Sequence, residues 1–190
     1  MKIIPIIFLI MSGCQAKPPD GNFPKYELRS NPEMLGDTVV FDNLSFRLPN
    51  AFNNIDIIDL DRLKEKINND QNSYFQFELI NGFSDKNNSA ILVSRINESD
   101  VISKLDSTYY DYLLSVVETN DIQETTFTLN GIRTIQYQIN YEKMTNIKLF
   151  LFIIDQTFCV DYFINNNVFN EKLESIESSL STLRIEGVLK

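Results

Sequence analysis

A chain of 190 residues, 43% of them hydrophobic, carries enough apolar material for one sizeable core and a tail. Its formal net charge of −9 argues against nucleic acid as a partner, because that binding rests on neutralising phosphates with Lys and Arg, and against adhesion of the protein surface to anionic lipid. No histidine occurs, which excludes Ser-His-Asp and Cys-His catalysis and histidine-ligated zinc or haem.

Residues 3–11 ("IIPIIFLIM") form an apolar run preceded by Lys2 and followed by the small residues Ser12 and Gly13, then Cys14. A membrane span needs about 20 apolar residues, so this run is too short, and the three regions match a secretory signal. Met11-Ser12-Gly13-Cys14 resembles the lipobox of bacterial lipoprotein precursors, with Met11 standing where Leu is usual. The resemblance implies cleavage before Cys14, diacylglycerol on its thiol and often acylation of the new N-terminus, with no other cofactor. A soluble secreted protein and an uncleaved short anchor are the alternatives. Each buried methylene of such a lipid contributes about 0.8 kcal/mol, and two or more chains hold where one only visits. Gln15 is not the Asp that retains some lipoproteins in the inner membrane, which slightly favours the outer membrane. A lipid on Cys14 would leave Cys159 without a disulfide partner, so stability must come from packing.

Residues 15–37 hold four of the six prolines and read as a spacer, within which Phe23 and Tyr26 are candidates to lie on the domain. The organisation is therefore a signal over 1–13, a lipidated N-terminus and spacer over 14–37, and one globular domain over 38–190. Strands are expected at 38–41 and 44–49 around an Asp42-Asn43 turn, and a helix over 59–68 from the spacing of Ile57, Leu60, Leu63 and Ile67. Alternation in "YFQFELINGF" gives a half-buried strand, and "SDKNNS" turns it into "AILVSRI". Asn97 is placed to cap a helix running to about 118, with Val101, Leu105, Tyr109, Tyr112 and Val116 as its stripe. A strand at 127–129 leads through Asn130-Gly131 into one at 132–141, followed by a turn at 143–146, "IKLFLFII", a turn at 155–156 and "TFCVDYFI". Phe169, Leu173, Ile176, Leu180 and Leu183 mark a last helix.

"IKLFLFII" is apolar on both faces and belongs in the middle of a covered sheet. The expected fold class is α+β, an antiparallel sheet of six to eight strands with helices on both faces. The order of elements, the early "FRLP", the Leu129-Asn130-Gly131 turn into long hairpins and the final "SSLSTLRI" resemble the PsbP/Mog1-like α/β/α sandwich domains. That resemblance implies a non-catalytic binding or assembly factor and carries over no site residue.

Cys159 reads either as a reactive thiol or as a buried inert one, and no nearby histidine or obvious cationic partner points to the first. Asp56, Asp59 and Asp61 invite calcium but lack the glycine and spaced Glu of a calcium loop, and the alternative is capping. Asp85, Asn87 and Ser89 fail the same pattern, since Ala90 and Ile96 occupy its Gly and Glu positions. No metal site is expected. Tyr109, Tyr110 and Tyr112 are candidates for a partner interface, against a core-and-boundary reading.

Three functions follow as expectations. The first is a lipid-anchored envelope protein without catalytic activity that binds another protein as an accessory, assembly or chaperone-like factor, with an inhibitor or immunity protein as its variant. The second is a small-ligand or lipid-binding lipoprotein, which requires an apolar cavity between sheet and helix. The third is a hydrolase built on paired carboxylates, which requires two of them to converge in a pocket. In cells fed an alkyne-tagged fatty acid, the wild type should take up label, and Cys14→Ser should lose it and keep its signal peptide on a gel.

Overall fold

The computed structural model describes residues 23–26, 28–69, 74–97, 100–118, 121–153 and 156–186; Cys14 and the signal lie outside them. The elements in chain order are β1 (Lys25–Tyr26), β2 (Leu35–Phe41), β3 (Leu44–Pro49), β4 (Asn53–Asn54), α1 (Ile57–Asn68), β5 (Phe77–Ser84) and β6 (Ala90–Ile96). There follow α2 (Val101–Ser107), α3 (Tyr109–Val116), β7 (Ile122–Leu129), β8 (Ile132–Asn140), β9 (Met144–Ile153), β10 (Gln156–Asn165), α4 (Phe169–Ser181) and β11 (Arg184–Ile185). Eight strands form the main sheet in the order β1-β7-β8-β9-β10-β6-β5-β4, antiparallel except for the β1–β7 pair.

The doubly apolar strand β9 lies between β8 and β10 and pairs with both along its length. Its Ile147, Leu149 and Leu151 share one cluster with Phe158, Val160 and Tyr162 of β10 and with Ile176 and Leu180 of α4. Its Phe150 joins the opposite cluster, with Cys159, Ile135, Tyr137 and the buried residues Val101, Leu105, Tyr109 and Leu113 of α2 and α3. Helices thus cover both faces, α4 on one and α1–α3 on the other.

The first hairpin departs from the single sheet expected. β2, β3 and β11 form a separate three-stranded sheet laid over the α4 face, with Phe41, Leu44, Phe46 and Leu48 in that cluster. It is tied to the end of α4: the Arg47 backbone N–H donates to Oγ1 of Thr182, the residue that follows the helix, at 2.8 Å, and Ser179 Oγ donates to the Arg47 carbonyl at 2.5 Å. Within the stretch read as spacer, β1 pairs with β7, and the Phe23 ring lies 4.8 Å from the Arg133 guanidinium carbon.

The long helix expected after Asn97 is two helices. Asn97 donates to Glu78 Oε2 at 3.1 Å, and the residue at the cap position of α2 is Asp100; α2 starts at Val101 and stops before Thr108, whose φ is −137°. Ser107 and Thr108 turn their hydroxyls back onto the carbonyls of Ser103 and Lys104, contacts that bend helices. The break shifts the inward face, so Leu113 is buried while Val116 is 52% exposed. At the β7–β8 turn Asn130 and Gly131 have φ of 51° and 84°, the left-handed pair that suits a two-residue hairpin.

Phe150 is fully buried and meets Tyr109 edge-on at 5.3 Å and Phe75 at 5.8 Å. Its truncation to Ala is expected to destabilise by about 3–5 kcal/mol, the usual cost of emptying an aromatic site in a core. Urea unfolding followed by circular dichroism checks this.

Candidate functional site

The N-terminal end of helix α1 is tied to β5. Ile55 donates its N–H to the Gly82 carbonyl at 3.0 Å, and a Cβ on Gly82 would stand 2.8 Å from Ile55 Cδ1 and 3.5 Å from Leu60 Cδ1. Glycine therefore allows this end to settle against β5. Asp56 caps the helix by accepting from the Ile58 N–H at 2.9 Å, as expected of that acidic stretch. Toward its C-terminus the helix leaves a cleft of about 630 Å³ over the sheet, lined by Leu63, Lys66, Ile67, Phe77, Leu92, Ser94, Lys148, Asp161 and Phe163. None of the residues of α1 is fully buried: Leu60, Leu63 and Ile67 of its stripe are half-buried and Ile57 is exposed.

Strand pairing fixes the polar end of the cleft. Lys148 is directly opposite Asp161, and Cys159 is opposite Phe150, so all four project to the same face. Lys148 Nζ lies 2.7 Å from Asp161 Oδ2, and the other carboxylate oxygen accepts from Asn146 Nδ2 at 3.1 Å. The ammonium also sits 5.1 Å from the centroid of the Phe77 ring. Burial works against the Lys148 charge, but the adjoining Asp161 carboxylate outweighs it and raises the ammonium pKa well above its usual value. This is a closed ion pair at the polar end of an otherwise apolar surface.

Cys159 does have a cationic neighbour, at 3.8 Å from Lys148 Nζ, with Asp161 Oδ2 at 3.4 Å. Burial and the carboxylate push the thiol pKa well up against the pull of Lys148, so the thiol stays protonated and unreactive. Alternation along β10 puts Cys159 and Asp161 on one face. Lys148 was hidden inside "IKLFLFII", and Asn146 was assigned to a turn that is in fact the start of β9.

The tyrosine trio does not form an exposed patch. Tyr109 is 3% exposed and packs between Tyr137, Phe150 and Phe75, while Tyr110 and Tyr112 are half-buried. The reason is the break at Thr108, which starts α3 with Tyr109 pointing into the core. Asp85 closes its hairpin by accepting from the N–H groups of Asn87 and Ser89 and pairs with Lys172 of α4 at 2.6 Å. Burial opposes the Asp85 charge, but Lys172 and these hydrogen bonds prevail and lower its pKa. Among the described residues no group of three or more Cys, Asp or Glu is arranged to hold a metal, and no helix is long and apolar enough to cross a membrane.

No protein-family model matches the chain, and no curated protein matches it in sequence. Among solved structures it is similar to the solution structure of cyanobacterial PsbP (CyanoP) from Synechocystis, at 11% identity over 91% of this chain and 99% of that one, with a TM-score of 0.49.

Removing one partner of the Lys148–Asp161 pair leaves a buried charge, which typically costs 3–5 kcal/mol, whereas replacing both by apolar residues is often neutral or stabilising. Lys148→Met should therefore destabilise by roughly 3 kcal/mol or more. The double variant Lys148→Met/Asp161→Leu should regain most of that loss in the same urea titration.

Proposed function

We propose that this protein is a lipid-anchored, non-catalytic accessory protein of the bacterial cell envelope whose binding site is the cleft beneath α1. The observation that carries the binding part of this reading is the cleft: a space of about 630 Å³ lined mostly by apolar side chains, with Ser94, Lys148 and Asp161 on the sheet and Lys66 on α1, within the roughly 300–1,000 Å³ of small-molecule sites. Its chemistry supports binding over catalysis. Asp161 is the one carboxylate among the lining residues, and it is committed to Lys148 and Asn146. Lys148 keeps its proton and is no nucleophile at neutral pH, and the adjacent Cys159 thiol is fully buried.

The anchor is Cys14, with the outer membrane favoured. A protein partner is the second reading, favoured by Ile57 and Ile58 at the start of α1, which are 71% and 60% exposed at the end of the helix away from the cleft. In that reading the envelope partner covers the outer face of α1 while the cleft beneath it holds the ligand.

An uncharged solvatochromic dye such as Nile red should bind saturably at one site with a blue-shifted emission. Leu63→Glu, which puts a carboxylate in the cleft wall, should weaken that binding at least tenfold, and Leu114→Glu on α3 should leave it unchanged. Equal binding by the wild type and Leu63→Glu would remove the cleft from the function.

A further inference from the structure

We infer that the cleft is built for an uncharged, mostly apolar molecule carrying a single hydroxyl or carbonyl oxygen, seated by that oxygen against the Lys148–Asp161 pair. This rests on the reading of the α1 cleft as the binding site and adds the class of its ligand. Leu63 and Ile67 from α1 face Phe77, Leu92 and Phe163 from the sheet across the cleft, so the walls call for hydrocarbon or rings.

The polar end decides the head group. An ammonium has three N–H donors; in Lys148 one goes to Asp161 at 2.7 Å and a second contact, to Cys159 Sγ, is long at 3.8 Å. A donor thus remains for an oxygen entering from the cleft, and the Ser94 hydroxyl lines the same space. The pair is neutral as a unit, and this is what excludes charged heads. A carboxylate bound to Lys148 would stand beside the Asp161 carboxylate, and a cation at Asp161 would stand beside Lys148, in both cases away from bulk water. A hydroxyl or carbonyl oxygen takes the free donor and brings no net charge. Lys66, exposed on α1, is at the rim and does not alter the charge of the inner end.

The test uses the full chain as Cys14→Ser, so that no attached lipid competes, and measures displacement of Nile red by 1-decanol, decanoate and decyltrimethylammonium at pH 7.5, each below its aggregation concentration. The expected result is that decanol binds at least tenfold more tightly than either ion. Because decanol is also the most apolar of the three, variants carry the decisive comparison. Asp161→Asn unmasks the Lys148 charge and should shift the decanol-to-decanoate ratio at least tenfold toward decanoate; Lys148→Met should shift the ratio toward the cation. Decanoate binding as tightly as decanol, or ratios unmoved in both variants, would overturn the inference while leaving the cleft as the site. Nile red bound without sensitivity to Leu63→Glu, or not bound at all, would overturn the site itself and this inference with it.

Discussion

Strand β9 sets the terms for everything else. Its apolar residues alternate to both sides of the sheet, and burying a Leu, Ile or Phe side chain is worth about 1.5–3 kcal/mol, so neither face can be left to water. The consequence is a three-layer arrangement with β9 at the centre of the sheet and its apolar side chains shared between two clusters. The two covers are unequal. On the α4 side a second small sheet joins the helix, and the β9 and β10 residues beneath are sealed almost completely. On the other side three helices divide the work: α2 and α3 cover the sheet over β8, β9 and the near part of β10, and α1 is left with β5, β6 and the far part of β10.

Lys148 is the one charged residue of β9, and it lines the cleft under α1 close to Phe150 of the α2–α3 cluster. A lysine at that register would be an uncompensated charge in a core, yet strand pairing supplies Asp161 directly opposite and Asn146 two residues back on the same strand. The pair is worth little as a source of stability, because desolvation consumes most of its Coulomb energy. What it does is keep a polar, charge-neutral point on an apolar face at the place where the helix cover is incomplete. A sheet wanting only stability would place an aliphatic pair there.

Much of this architecture is legible from alternation alone, and the failures have specific causes. β9 is readable because Leu149 to Ile153 are five apolar positions in one unbroken run; Lys148 just before them escapes notice because period-two reasoning treats a single polar residue as a tolerated exception. Asn146 looked like a turn residue because Asn favours turns, and only the register with β10 shows that its amide serves Asp161. The separation of β2, β3 and β11 into their own sheet depends on contacts between Arg47 and α4 more than 130 residues apart, which no local pattern encodes. The break at Thr108 was in reach, since Ser107-Thr108 is a pair of helix-bending hydroxyl residues, but the hydrophobic stripe outweighed it.

The cleft itself could not be read from the sequence, because it is a mismatch between two elements, each regular on its own. The stripe of α1 predicts a buried helix face, and the half-buried faces of Phe77, Leu92 and Phe163 predict a covered sheet. Gly82 draws Ile55 and Leu60 down at one end, and the bulge in β5 between Leu79 and Asn81 alters the strand just before it. The N-terminal end of the helix is tied to this bulged strand, and its later turns form one wall of the cleft, with Leu63 and Ile67 facing Phe77, Leu92 and Phe163. Apolar walls held apart in this way retain unspent burial, and a molecule that fills the gap recovers it for both walls at once. Ligand binding and the stability of α1 are therefore expected to be coupled, with the helix gaining most from an occupant that touches Leu63 and Ile67 together.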